Sequence, residues 1–240
     1  MRPTRTSVAI VAVLVAVVVV STAQGASSVR PWLAGHGSWS TYSMQDVNRD
    51  IGGFIDEVNA ELPWDVLSMD EVHNGFGFGL DAGVDLGKVS FGAGYERLLA
   101  STTSAVDLLL PLEGFPTIEL GYKVPATAFR ALAEYRLPTH GPLGARLGIA
   151  GGIVSVVGEA SVTVSVSNLR LPIYTGKGPL FEAYGCGEWW AAPRFAVSAS
   201  LGYRYAKVNE PKVDGVKATG FSVDYSGVLV RVGFKLALAK

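Results

Sequence analysis

The chain has 240 residues, a formal net charge of -1 and only 17% charged residues. That suits one domain, and the missing basic surplus argues against a nucleic-acid partner. A single cysteine, Cys186, rules out an internal disulfide, and with three histidines there are too few ligands for a structural zinc site.

At the N-terminus, Arg2 and Arg5 precede Val8 to Val20, a stretch without a polar residue. An apolar core of about 13 residues has the length of a signal-peptide core and falls short of a membrane helix. Ala23 and Gly25 put small residues where a signal peptidase inspects. Residues 1–25 are therefore expected to be a cleaved signal peptide and 26–240 the mature protein; the alternative is an uncleaved anchor. No cysteine follows the core, so a lipoprotein anchor is not indicated. Loss of Arg2 and Arg5 leaves 18 basic and 21 acidic residues, 18 − 21 = -3. A further crossing of a membrane would need strands, because no other run is long and apolar enough for a helix.

Residues 30–43, with Trp32, Trp39 and Tyr42, are predicted as a first strand. Residues 44–62 change period: Val47, Ile51, Phe54, Ile55, Val58 and Leu62 recur at helical spacing along one stripe. Ser43 with Asp46 resembles a capping box, and Gly52-Gly53 weakens the middle. This helix would sit in a first long loop and cover a barrel mouth; the other readings are a plug gating a hydrophobic ligand or a surface lying on lipid.

From residue 75 the apolar residues alternate with period two, the mark of strands with two unlike faces. Phe76, Phe78, Leu80, Ala82, Val84 and Leu86 oppose a face of glycines with Asp81 and Asp85. Val89, Phe91, Ala93 and Tyr95 repeat the scheme after a tight turn at Gly87-Lys88. Residues 117–137 form a long strand whose parity slips near Pro125, which predicts a bulge there. Residues 144–166 and 179–191 follow, and 194–206 and 228–238 close a count of about eight. Long connections are expected at 44–71, 101–116, 167–178 and 207–220, the second with an apolar Leu108 to Leu112. Short ones are expected at 86–88, 138–144 and 191–193. An even count puts both termini on the short-turn side.

The apolar faces are continuous and aromatic, whereas the polar faces hold Gly, Ser and isolated charges. That pattern predicts an all-β fold, a closed antiparallel transmembrane β-barrel with its apolar face outward. The lumen of a barrel this narrow is filled by side chains. It would receive Asp81, Asp85, Glu96, Glu119, Glu134, Glu182 and Glu188, together with Lys123, Arg130, Arg136, Arg146, Arg194, Arg204, Arg231 and Lys235. The nearly balanced charges are expected to pair as a structural network, because an unpaired buried charge is costly. The other reading is a polar pore or proton path.

The last strand, with Arg231, Gly233, Phe234, Leu236 and Leu238, resembles the terminal assembly signal of outer-membrane barrels. With Gly-Tyr at 94–95, 121–122 and 202–203, the mature chain resembles the small outer-membrane barrels, similar to OmpA-type membrane domains and to OmpW. The family usually ends on an aromatic residue, whereas Ala239-Lys240 end this chain. The resemblance implies outer-membrane lipid and the barrel assembly machinery as partners, in the envelope of a Gram-negative-type bacterium. The sequence has no phosphate loop, metal constellation or nucleotide fingerprint, so no cofactor and no metal are expected.

A lipid-active barrel enzyme would need a histidine beside a serine or an acid. His36 lies near Ser38 and Ser40, His73 near Glu71, and His140 in a predicted turn, none at a diagnostic spacing. The expectation is therefore a non-enzymatic, porin-like outer-membrane barrel, structural or a narrow channel for small or hydrophobic solutes. The alternatives are a lipid-active enzyme and a secreted soluble barrel binding an apolar ligand.

Overall fold

The structure, a computed structural model, describes residues 29–61, 68–106, 118–164, 167–213 and 215–238. The predicted signal peptide, Leu62 and the Leu108 to Leu112 stretch lie outside the described residues. In chain order the elements are β1 (Val29–Thr41), α1 (Gln45–Glu61), β2 (Asn74–Leu86), β3 (Val89–Leu99), β4 (Ser101–Val106), β5 (Ile118–Lys123) and β6 (Ala126–Leu137). They continue with β7 (Leu143–Val164), β8 (Ser167–Ala192), β9 (Phe195–Asn209), the short β10 (Lys212–Val213), β11 (Val216–Lys217) and β12 (Ser222–Asp224), and β13 (Gly227–Ala237).

Eight strands form the ring. β1 pairs antiparallel with β2, then β2 with β3, β3 with β6, β6 with β7, β7 with β8, β8 with β9 and β9 with β13. β13 returns to β1, with Trp32 opposite Ala237 and Ser40 opposite Leu229. Closure leaves no edge in the ring, the one way a sheet satisfies its backbone in lipid.

The period-two pattern sends apolar side chains outward. Phe76, Leu80, Ile149 and Leu201 are 62–67% exposed, whereas Glu96 and Arg204 inside are at 0%. Water would favour the reverse arrangement, so the outer wall is built for lipid and the barrel is a transmembrane one. The ring strands have 11 residues or more, enough to cross when tilted by about 45°.

One end carries short turns at 87–88, 141–142 and 193–194, and both β1 and β13 reach it. The other end carries α1, the β4–β5 pair and an extension of β7 and β8. The predicted loop at 167–178 is strand instead: β8 starts at Ser167, opposite Val164, and stays zipped to β7. Alternating Ser161-Val-Thr-Val is its legible half, and Arg170 to Pro172 complete the ladder with one irregularity at Gly158/Glu159.

The bulge expected at Pro125 is absent. Lys123 opposes Glu159 and Ala126 opposes Val156, the same register on both sides of Val124-Pro125. Against the preceding strands the register is also kept, with Ser101 opposite Lys123 and Leu98 opposite Ala126. The proline is absorbed because its carbonyl still accepts from Val157 N at 3.2 Å. What changes there is the lining of the barrel: Val124, Ala126 and Ala128 are apolar yet face inward, fully buried. Among the described residues no helix is long and apolar enough to cross a membrane.

A charge on the outer wall should be costly. Leu80→Arg, at the middle of β2, is expected to lose about 2–4 kcal/mol, read as an earlier denaturant midpoint in phospholipid bilayers.

Candidate functional site

The lumen is the site, and its filling changes along the barrel axis. In the middle, Glu96 on β3 and Glu182 on β8 meet Arg130 on β6, Arg204 on β9 and Arg231 on β13. Glu96 Oε2 accepts from Arg204 Nη2 at 2.7 Å, from Arg231 Nη2 at 2.8 Å and from Arg130 Nη1, while Oε1 accepts from Ser38 Oγ at 2.7 Å. Glu182 accepts from Arg204 Nε at 2.8 Å and from Arg231 Nη2 at 2.7 and 2.8 Å. Arg130 Nη2 donates to both oxygens of Asp81, at 2.9 and 3.1 Å, and His36 Nδ1 lies 3.3 Å from the same carboxylate. Three carboxylates thus face three guanidiniums. Every ring strand except β7 contributes a side chain.

Nearer the short turns lies a second layer. Arg146 on β7 forks onto Asp85 of β2 at 2.9 and 3.1 Å and reaches Glu134 at 3.3 Å and Glu188 at 2.8 Å. Lys235 on β13 donates to Glu188 at 3.2 Å and sits 4.2 Å from the centre of the Trp32 ring. Tyr184 OH donates to Glu134 at 3.0 Å, and Arg136, half-exposed, approaches Asp85 at 3.5 Å. Forked, charge-assisted contacts of this kind are the strong ones, and they compensate the cost of burying each ion.

At the long-loop end the lining turns apolar and α1 fills it. Val47, Ile51 and Ile55 are buried with Met44 and Val72 against Val124, Ala126, Val154, Leu180, Val208 and Val223. The helix therefore covers the mouth as its stripe predicts; the side chains of Phe54 and Val58, like Leu62, lie outside the described residues. The expected Ser43–Asp46 capping box gives way to a tether. Asp46 Oδ2 accepts from Ser222 N at 3.0 Å and from Ser222 Oγ at 2.7 Å, which ties α1 to β12. Asn48 Oδ1 accepts from Val72 N at 2.8 Å and anchors the far side of the loop.

Twelve of the charges expected in the lumen thus lie in the two layers. Lys123 and Arg194 do not: both are exposed, Lys123 because the register does not slip and Arg194 because it sits in the turn between β8 and β9. The side chain of Glu119 lies outside the described residues. Sequence reasoning missed the inward roles of His36, Ser38, Trp32 and Tyr184. Their signal is the glycine opposite each ring: a Cβ at Gly79 would meet His36, at Gly83 Trp32 and at Gly148 Tyr184. In the assembly signal, Arg231 points inward while Phe234, Leu236 and Leu238 face outward, 38–46% exposed.

His36 and His73 are already engaged. Ser38 donates to Glu96 rather than to His36, whose Nε2 lies 3.5 Å from Arg130 Nη2. His73 Nε2 lies 2.9 Å from Glu71 Oε2, both exposed. Among the described residues no group of three or more His, Cys, Asp or Glu is arranged to hold a metal ion.

No family model matches the sequence, and no curated protein matches it. Among solved structures the chain is similar to Neisserial surface protein A, at 15% identity and a TM-score of 0.43, over 89% of this chain and 99% of that one. It is similar to Ail, the attachment invasion locus protein of Yersinia pestis, in complex with the heparin analogue sucrose octasulfate, at 13% identity and a TM-score of 0.41, over 86% and 99%. It is also similar to the outer membrane protease OmpT of Escherichia coli, at 9% identity and a TM-score of 0.39, over 88% and 96%.

Glu96→Ala leaves three buried guanidiniums short of their shared acceptor. The expected loss is about 3–5 kcal/mol, measured as a urea-midpoint shift in micelles, whereas Arg194→Ala should stay within about 0.5 kcal/mol. Ile51→Asp places a charge in the apolar seat of α1. Hydrogen exchange of the α1 amides should then accelerate while the strand amides keep their protection.

Proposed function

We propose that this chain is an exported, non-enzymatic barrel of a bacterial outer membrane whose role is structural. It would span the bilayer with a sealed wall and display the helix-capped mouth and the β4–β5 and β7–β8 hairpins outside. The observation that carries this reading is the full burial of Glu96 and Arg204 at mid-lumen. A water-filled pore would leave those charges wet; here Glu96 accepts from three guanidiniums, and Arg204 donates to Glu96 and Glu182 through Nη2 and Nε.

Other features support the same reading. An export signal is expected at residues 1–25, and the outward Phe234, Leu236 and Leu238 suit recognition by barrel assembly machinery. The short-turn end then faces the periplasm. The apolar chamber under the mouth, where a small hydrophobic solute would lodge, is taken by Val47, Ile51 and Ile55 of the chain itself. A Ser–His or His–acid site open to a lipid or peptide is not offered by His36, which is enclosed between Asp81, Glu96 and Arg130.

Cell fractionation and planar-bilayer recording test this together. The protein is expected in the outer-membrane fraction, with faster migration when unboiled and no stepwise conductance. Regular conductance steps would show that the lumen opens and make the chain a channel. Recovery as a soluble periplasmic protein would overturn the membrane reading.

A further inference from the structure

At the short-turn end the lumen widens into a cavity of about 420 Å³, lined by Arg30, Lys88, Arg136 and Lys235 with Trp32 and Trp190. One carboxylate, Asp85, lines it too, but both of its oxygens already accept from Arg146, at 2.9 and 3.1 Å. Arg136 approaches that carboxylate only at 3.5 Å, and Lys235 is spent on Glu188 at 3.2 Å. Arg30 and Lys88 have no carboxylate partner among the described residues, and both are exposed. Arg30, Lys88, Arg136, Arg146 and Lys235 stand against Asp85, Glu134 and Glu188, so the cavity and the layer behind it carry 5 − 3 = +2. The central layer, by contrast, is balanced.

A surplus of positive charge in a concave, low-dielectric pocket concentrates anions. Guanidiniums present paired N–H groups that match phosphate oxygens, and an ammonium adds a point charge. The part-exposed indole of Trp190 supplies an apolar surface for the organic part of a ligand, while Trp32, buried beneath Lys235, backs the wall. The volume falls in the range of small-molecule sites. On the outside of the same end, Trp189 and Tyr135 are 54% and 45% exposed, the aromatic girdle that marks headgroup depth.

We propose that this vestibule binds a phosphate group carried by a small organic molecule. Arg30, Lys88 and Arg136 hold the phosphate, while Trp190 packs its carrier. The phosphate comes either from a soluble ester or from the headgroup of a lipid in the adjoining leaflet. The site rests on the structural reading only in that the periplasm is the compartment that supplies the ligand.

The full mature chain, folded in a nonionic detergent free of phosphate, is titrated with glycerol 3-phosphate and, in parallel, with glycerol. Indole N–H signals of Trp32 and Trp190 report occupancy. Saturable shifts with the phosphate alone are expected, and Arg30→Gln with Lys88→Gln should weaken the apparent affinity about tenfold or more. That pair lies outside both ion-pair layers, so the barrel should stay folded, as heat-modifiable migration would verify. Short-chain phosphatidylglycerol, added to the micelles, separates the sources. Displacement of the ester by the lipid identifies a headgroup site, and failure to displace it a site for soluble esters. Equal responses to glycerol and its phosphate, or full retention of affinity in the double variant, would overturn the proposal. A barrel that binds no phosphate yet conducts no ions would lose this site and keep its structural role.

Discussion

Glu96 accepts from three guanidiniums at once, and the interior of the barrel is arranged around that contact. A barrel of eight strands encloses too little space for bulk water, so its inward side chains must fill the lumen themselves. Charged side chains can do so only if each is compensated, since stripping water from an ion costs several kcal/mol. Glu96, Glu182 and Asp81 meet that condition with Arg130, Arg204 and Arg231, and the ledger of charge in this layer closes at zero. The partners come from strands far apart in the sequence, with Glu96 and Arg231 separated by 135 residues. The network therefore ties together parts of the wall that no single hairpin joins.

The rest of the lumen divides on either side of that layer. Toward the short turns it stays ionic, and the charge surplus there opens to solvent. Toward the long loops it becomes apolar and is stoppered by α1. The same ring of strands thus carries two unlike interiors, one held by geometry and charge, the other by burial of apolar surface. Inward glycines make the ionic half possible. Beside Gly94 lie Asp81 and Arg130, and a Cβ there would displace both.

Much of this was legible from period-two alternation, because one face of each strand meets lipid and the other does not. The ring strands and twelve of the lumen charges follow from parity, and the helix in the first long loop from the switch to helical spacing. Parity failed where apolar residues line the inside. Around Pro125 the inward Val124, Ala126 and Ala128 look like an outer face, so a bulge was expected, and Lys123 was assigned to the lumen. The strand does not slip; the barrel changes its lining to receive Val47 and Ile51. Of the β7–β8 extension, the β7 half was read as strand and only residues 167–178 as a loop, although they pair with β7 with one irregularity. His36 and Trp32 were invisible as lumen groups because a single strand does not display what lies opposite, and here the telling residue is a glycine on the neighbour.

The seat of α1 has a consequence for how the chain is made. The helix belongs to the first connection of the barrel, yet part of its seat belongs to the end of the chain: Val208 on β9, Val223 on β12 and Ser222, which lies 176 residues beyond Asp46. The seat of α1 is therefore complete only once the last strands of the chain are in place. A chain that stalls or loses its final hairpin therefore keeps a greasy helix dangling at the surface, within reach of proteases. Seating of the helix is thus a mark of completion.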